Sequence, residues 1–186
     1  KTPPTQRVLT LQMNQTTFRI PAGQRDYRIS VWGTLPNDAL LLGLFPHMHL
    51  RGKSFEFSRL LENRQPETML LVSPYDFHWQ LWYRLAAPLP LKKGTRLNWV
   101  ATYDNSAANP RNPDPTADVT YGFQSWEEMM VGFFDVAVDA HFEFSRIRPQ
   151  VPSRPRLQGQ NPRKDQQNAT FTCVHSRLAG SGQPSL

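Results

Sequence analysis

The stretch Tyr27-Arg28-Ile29-Ser30-Val31-Trp32 alternates polar and apolar side chains residue by residue. A β-strand turns successive side chains to opposite faces, so this is the pattern of a strand with one buried and one wet face. Outward from it, strand-length segments recur at 40–44, 54–60, 79–85, 96–103 and 129–144. Turn chemistry separates them: Pro36-Asn37, residues 63–66, Pro74, and Lys92-Lys93-Gly94-Thr95, which carries a hairpin signature. No segment shows a long 3.6-residue apolar stripe closed by helix caps. One short helical turn is expected at 125–130, with Ser125 as its cap and Glu127 and Glu128 near the positive end of its dipole. Short, turn-bounded antiparallel strands predict an all-β fold, a jelly-roll β-sandwich. There is no internal repeat.

The chain has 186 residues, one Cys and a formal net charge of +6. That length fits one domain, with or without a tail. Cys173, as the only cysteine, excludes an intramolecular disulfide framework and CxxC-type zinc or redox sites. No run approaches the roughly 18 apolar residues of a membrane-spanning helix. The longest, 39–45, is interrupted by Gly43. The chain opens at Lys1 without an initiator Met or a signal-like stretch, which reads as a processed form or a piece of a larger protein. Its charge is unevenly spread. Residues 1–145 carry 14 Lys and Arg against 14 Asp and Glu, whereas 146–186 carry seven basic residues against Asp165 alone. This divides the chain into a domain at 1–148 and a Pro/Arg/Gln-rich tail at 149–186. The tail is too poor in apolar residues for a core of its own and is expected to be disordered or extended. Apart from Phe171 it lacks interleaved aromatics, so no nucleic-acid partner is expected.

One longer connection, 104–118 (DNSAANPRNPDPTAD), is dense in Asn, Pro and Asp. Asp104, Asn105, Asp114 and Asp118 offer oxygen ligands for calcium, yet the spacing does not fit an EF-hand and Asx-turn chemistry explains the same composition. The chemistry concentrates in Pro46-His47-Met48-His49. In an extended strand His47 and His49 project to one face and can present two imidazoles to one metal, while Met48 points the other way. Two histidines in a sandwich also fit ordinary surface or core positions, so further ligands are needed. The HxHxDH hydrolase pattern fails because Leu50-Arg51-Gly52 follow, and Glu56 is too far downstream for a cupin pattern. The second cluster is Gln124-Ser125-Trp126-Glu127-Glu128-Met129-Met130, directly before the apolar Val131-Gly132-Phe133-Phe134. A thioether is a soft, neutral ligand suited to Cu(I), and two imidazoles with one thioether can hold either copper oxidation state. A Met at the start of a strand equally serves as core filling.

Taken in order, these segments resemble the C-terminal domain of the copper type II, ascorbate-dependent monooxygenases, the family of the peptidylglycine α-hydroxylating and dopamine β-monooxygenases, and look most like its bacterial members. The likeness covers 18–144. It rests on His47-Met48-His49-Leu50-Arg51-Gly52-Lys53, the Pro-rich approach to a strand at 88–103, the Asn- and Pro-rich loop at 104–118, and Ser125-Trp126-Glu127-Glu128-Met129. The resemblance implies a jelly-roll sandwich holding one mononuclear copper through His47, His49 and Met129. It also implies the oxygen- and substrate-binding half of a monooxygenase that hydroxylates a C–H bond. Met130 competes for the third ligand position: alternation in a strand turns it to the other face, but a turn over 127–130 would remove that argument. His78, in Tyr75-Asp76-Phe77-His78-Trp79, is a further candidate as a fourth ligand or a supporting group, while His141 and His175 have no motif around them.

Departures from the family pattern bear on substrate and electrons. In the family's peptide-amidating enzyme the substrate carboxylate is held by an Arg two residues before the first ligand His, and by an Asn and a Tyr two and four residues after the ligand Met. Those positions are Phe45, Val131 and Phe133 here, which implies an apolar or aromatic small molecule in place of peptidylglycine. The family's second copper sits on a separate domain with three His. His78, His141 and His175 do not form such a group, which implies an electron donor such as ascorbate or an upstream redox domain. Alone, the chain is expected to bind copper but to hydroxylate poorly. The family's disulfides are missing too, so packing has to hold the sandwich. The alternative readings are a non-catalytic copper module for storage, delivery or redox sensing, and a metal-free recognition domain. By analogy with where copper oxygen chemistry is kept, the setting is periplasmic or secreted. Asn14-Gln15-Thr16 and Asn168-Ala169-Thr170 match the glycosylation sequon.

Overall fold

The structure is a computed structural model, and it describes residues 3–142 together with the backbone of one later strand at 172–178. The described residues form eleven strands and no helix: β1 (Gln6–Gln15), β2 (Arg19–Ile20), β3 (Tyr27–Thr34), β4 (Ala39–His47), β5 (Gly52–Leu60), β6 (Pro66–Val72), β7 (Tyr83–Leu91), β8 (Arg96–Tyr103), β9 (Val119–Thr120), β10 (Met130–Asp139) and β11 (Thr172–Leu178). One sheet has the order β11-β1-β10-β4-β7, the other β3-β8-β5-β6, and β2 with β9 makes a small ribbon. All of these ladders are antiparallel. The all-β sandwich expected from the alternating pattern is what the chain forms.

Among the described elements, β5–β6 is the one hairpin that joins sheet neighbours directly. The links β3–β4, β4–β5, β6–β7 and β7–β8 each pass from one sheet to the other, as a jelly roll requires. Lys92-Lys93-Gly94-Thr95 is therefore a turn between sheets and not a hairpin, closed by the Thr95 N–H donating to the Lys92 carbonyl at 3.0 Å with Gly94 at φ +87°. The core is the inward half of each alternation: Leu9, Leu11 and Met13 from β1, Ile29 and Val31 from β3, Phe55 and Phe57 from β5, and Leu97, Trp99, Ala101 and Tyr103 from β8. A chain of rings, Phe55–Phe57–Trp99–Phe134, crosses between the sheets with centroids 4.7, 4.8 and 5.7 Å apart, the first pair tilted and the other two edge-on. Trp99 fits because β10 carries Gly132 beneath it, where a Cβ would stand 2.7 Å from Trp99 Cδ1.

Several element boundaries depart from the sequence-based expectation. The segment at 79–85 is a strand only from Tyr83, which then runs to Leu91 through Pro88 and Pro90. As the outer strand of its sheet, β7 loses little by the missing N–H groups. The strand expected at 129–144 is Met130–Asp139. Residues 143 and 144 lie outside the described ones. No helical turn forms at 125–130. A single reverse turn, closed by the Glu127 N–H on the Gln124 carbonyl at 2.9 Å, returns the chain to extended geometry at Glu128, which bridges Tyr121. The 149–186 segment contributes β11, which lies against β1 with Arg7 opposite Leu178. Its backbone pairs antiparallel with β1. The rest of that segment, with the Asn168 sequon and its basic residues other than Arg177, lies outside the described residues. No described helix is long and apolar enough to cross a membrane.

Candidate metal centre

β4 and β10 run side by side with Phe45 opposite Phe133, Pro46 opposite Gly132 and His47 opposite Val131. Directly opposed residues share a face. Pro46, Met48 and Met130 therefore belong to the core face, where Met48 and Met130 are fully buried, and Phe45, His47, Val131 and Phe133 to the outer face. β4 ends at His47, so His49 lies two residues past the strand, in the turn that the Gly52 N–H closes on the His49 carbonyl at 3.1 Å. The imidazoles still meet, with centroids 5.2 Å apart and planes at 84°. Met129 precedes β10 by one residue, and the register carried two residues past Val131–His47 sets it beside His49. Met129 is half-buried, whereas Met130 is 0% exposed within the core. Met130 is thus taken up by the core, which leaves Met129 as the methionine of the pair outside it.

Hydrogen bonds fix both rings. The Gln80 amide donates through Nε2 to the Phe77 carbonyl at 2.9 Å, which turns its Oε1 toward His47 Nδ1 at 2.8 Å. His49 Nδ1 faces the Glu127 carbonyl at 3.2 Å. Both partners only accept, so each Nδ1 carries a proton, and Nε2 is the ring nitrogen left to face a metal. This is how metal-ligating histidines are usually oriented. Burial lowers the His49 pKa, with the Glu127 carbonyl opposing and His47 assisting, so this ring stays neutral further into acid than a free imidazole.

The turn that carries His49 is clasped by buried polar groups. Glu128, 0% exposed, accepts the backbone N–H of His49 (2.9 Å) and of Met129 (3.2 Å) on Oε2, and that of Arg51 (2.7 Å) on Oε1. Its role is thus to clamp the His49 and Met129 segments together, in place of the helix-end role expected from sequence. Burial pushes its carboxyl up to about 7, against the N–H donors and the Arg51 charge, which favour the carboxylate. Arg51 is itself buried. It donates through Nε to Asn105 Oδ1 at 2.7 Å and through Nη1 to the Trp126 carbonyl at 2.8 Å. Asn105 in turn donates to the Pro21 and Ala117 carbonyls. Across the turn the Tyr75 hydroxyl both donates to the Met48 carbonyl (2.8 Å) and accepts the Met48 N–H (2.9 Å), pinning the residue between the two histidines. The carboxylates of 104–118 go to separate partners: Asp104 and Asp114 cap Asx turns onto Ser106 and Thr116, and Asp118 receives Arg19 and the Ala22 N–H.

Beside the histidines the outer face is aromatic. Phe45 lies 5.7 Å from Phe133 and stacks on Trp82 at 5.6 Å and 18°. Trp82 reaches over the sheet because residue 43 is glycine, where a Cβ would stand 2.6 Å from the indole nitrogen. Phe45 and Phe133 are half-buried and Val131 is 3% exposed, so the two rings and Trp82 present the accessible surface and Val131 lies beneath it. His78 touches Phe77, whose ring also meets His49 edge-on at 5.9 Å. His141 donates its backbone N–H to Asp139.

Ligands on a metal at about 2 Å from nitrogen place each imidazole centre roughly 3 Å from the ion, and two such rings at a tetrahedral angle lie about 5 Å apart. The observed 5.2 Å fits. Among the described residues no group of three or more His, Cys, Asp or Glu is placed to hold a metal, and a set of two imidazoles and a thioether is of another kind. Such a set suits copper. No protein-family model matches this sequence, and no curated protein matches it. Gln80, Tyr75, Arg51, Glu128 and Trp82 were not legible as site residues, since only loop geometry and strand register bring them here. Replacing Gln80 by Leu frees the His47 ring to rotate and change tautomer. The expected result, read by competitive titration with a Cu(I) chelator, is about tenfold weaker copper binding at an unchanged Tm.

Proposed function

We propose that this chain is the copper-, oxygen- and substrate-binding half of a copper-dependent monooxygenase that hydroxylates a C–H bond of an apolar or aromatic small molecule. His47, His49 and Met129 are the ligands in this reading. The observation that supports it is the pair of imidazoles 5.2 Å apart, each held by Nδ1 on a fixed acceptor, at the border of an aromatic surface. Copper held there supplies one-electron chemistry with molecular oxygen. The chain's own residues do the rest. Gln80 and the Glu127 carbonyl keep both rings in the ligating tautomer, and Glu128 and Tyr75 hold the backbone of both ligand segments. Phe45, Phe133 and Trp82 offer a flat apolar rest for an apolar or aromatic substrate. Electrons come from a donor such as ascorbate or from an upstream redox domain, and the setting is periplasmic or secreted.

Copper K-edge absorption on Cu(I)-loaded protein tests the ligand set. One copper per chain with two nitrogen neighbours and one sulfur is expected, with the sulfur lost in Met129→Leu and kept in Met130→Leu. A spectrum unchanged by Met129→Leu overturns the assignment. Ascorbate-dependent oxygen consumption, stimulated by an aromatic hydrocarbon and not by glycine-extended peptides, separates a monooxygenase from a copper store.

A further inference from the structure

The end of the sandwich remote from the histidines carries a groove of about 980 Å³ that the copper reading does not use. β5 runs from Gly52, beside the histidine turn, to Leu60 at the groove, which separates the two ends by roughly 25–30 Å at 3.3 Å per residue. The groove lies between the β5–β6 hairpin turn and the β7–β8 turn. Five basic side chains line it, Arg59, Arg64, Lys92, Lys93 and Arg96, against one acidic one, Glu62. Because residues 1–145 as a whole are neutral, this is a local concentration of charge. Arg59 and Lys92 have carboxylate partners in Glu67 and Asp38, but Arg64, Lys93 and Arg96 make no ion pair among the described residues. The Arg96 guanidinium lies 3.8 Å over the Trp32 ring and is partly stripped of water, which lowers its pKa.

Arg64 adds an independent observation. It holds φ +62°, a left-handed conformation in which glycine or asparagine costs less than a long side chain. The tight turn, closed by the Leu61 N–H on the Gln65 carbonyl and the Arg64 N–H on the Leu61 carbonyl, would form more easily with glycine there. A strained residue of this kind points to a use for its side chain.

We propose that this groove binds a soluble multivalent anion carrying two or more phosphate groups. Three arginines favour phosphate, whose oxygens match the guanidinium fork. The volume stands at the upper end of small-molecule sites and exceeds what a single phosphate fills. No aromatic side chain lines the groove, so it offers no stacking platform for nucleic-acid bases. The groove opens to solvent between the two turns, where a soluble ligand reaches it.

Isothermal titration of the full chain with inorganic tripolyphosphate tests this, with orthophosphate and phosphatidylglycerol vesicles as parallel arms. The expected result is saturable 1:1 binding of tripolyphosphate, at least about tenfold tighter than orthophosphate, weakening between about 50 and 200 mM salt. Arg96→Ser and Arg64→Gly should each weaken it at least about fivefold, with Arg64→Gly keeping or raising the Tm as its backbone strain is relieved. Arg28→Glu, a change of exposed charge on β3 near the histidine end, should leave it within about twofold. The proposal is overturned by an absence of tripolyphosphate binding, by binding to vesicles alone, by equal loss in Arg28→Glu, or by full binding in Arg64→Gly.

Discussion

Replacing His47 by Ala is expected to weaken copper binding at least about 100-fold while moving the Tm by only a few degrees. The ring is half-buried on the outer face of β4, and its polar contact is with Gln80, so little packing goes with it. A surface-side truncation of this kind changes stability by about 1 kcal/mol or less. The loss of affinity is large because one imidazole and one thioether no longer chelate: the preset geometry that His47 and His49 share disappears with either ring. Competition between the protein and a Cu(I)-specific chelator, read beside calorimetric unfolding, checks both halves. A His47→Ala protein that keeps its copper, or that unfolds before copper is added, contradicts the reading of these residues as ligands on an independent scaffold.

Glu128→Ala has the largest expected effect on the fold. It strips the acceptor from three backbone N–H groups and leaves the buried Arg51 charge without its neighbouring carboxylate. Removing one member of a buried polar cluster costs about 3–5 kcal/mol, or roughly 6–20 °C in Tm for a chain of this size. Copper affinity should fall with it, since the same carboxylate joins the His49 and Met129 segments. Glu128→Gln retains one acceptor and should lose less. It also isolates a pH effect. Burial raises the Glu128 pKa from 4.5 to about 7, so between those values the folded protein holds a proton that the unfolded chain has released. Stability at this residue is therefore highest below about 4.5 and declines as pH rises toward 7. Chemical denaturation at several pH values should show that slope in the native sequence and its loss in Glu128→Gln.

The fold was legible where burial has a period of two. Tyr27–Thr34 and Arg96–Tyr103 alternate in sequence and in burial, so their faces follow from the residue types alone. β7 was displaced because prolines usually break strands, and only its place at a sheet edge makes Pro88 and Pro90 harmless. The ribbon Gln6–Gln15 has the same alternation through Leu9, Leu11 and Met13 yet went unread, its polar partners being uncharged and its turn signals weak. At the candidate centre the local pair His47 and His49 was legible, because two residues of spacing are enough to bring their rings together. Gln80 stands 33 residues from His47 and Glu128 is 77 to 79 residues from the N–H groups it holds at Arg51 and His49, so no spacing rule reaches them. Glu128 was misassigned for a physical reason: a glutamate after a serine cap looks like a dipole partner until tertiary contacts claim its carboxylate.

The pairing of β11 with β1 makes a late part of the chain the guard of an early one. Without it, a ten-residue ribbon would present a row of unsatisfied donors and acceptors at the margin of the sheet, and the best-matched partner for that row is the same ribbon on another molecule. A protease nick that released the guard would leave β4 and β10 paired and expose β1 to edge-to-edge addition of further chains.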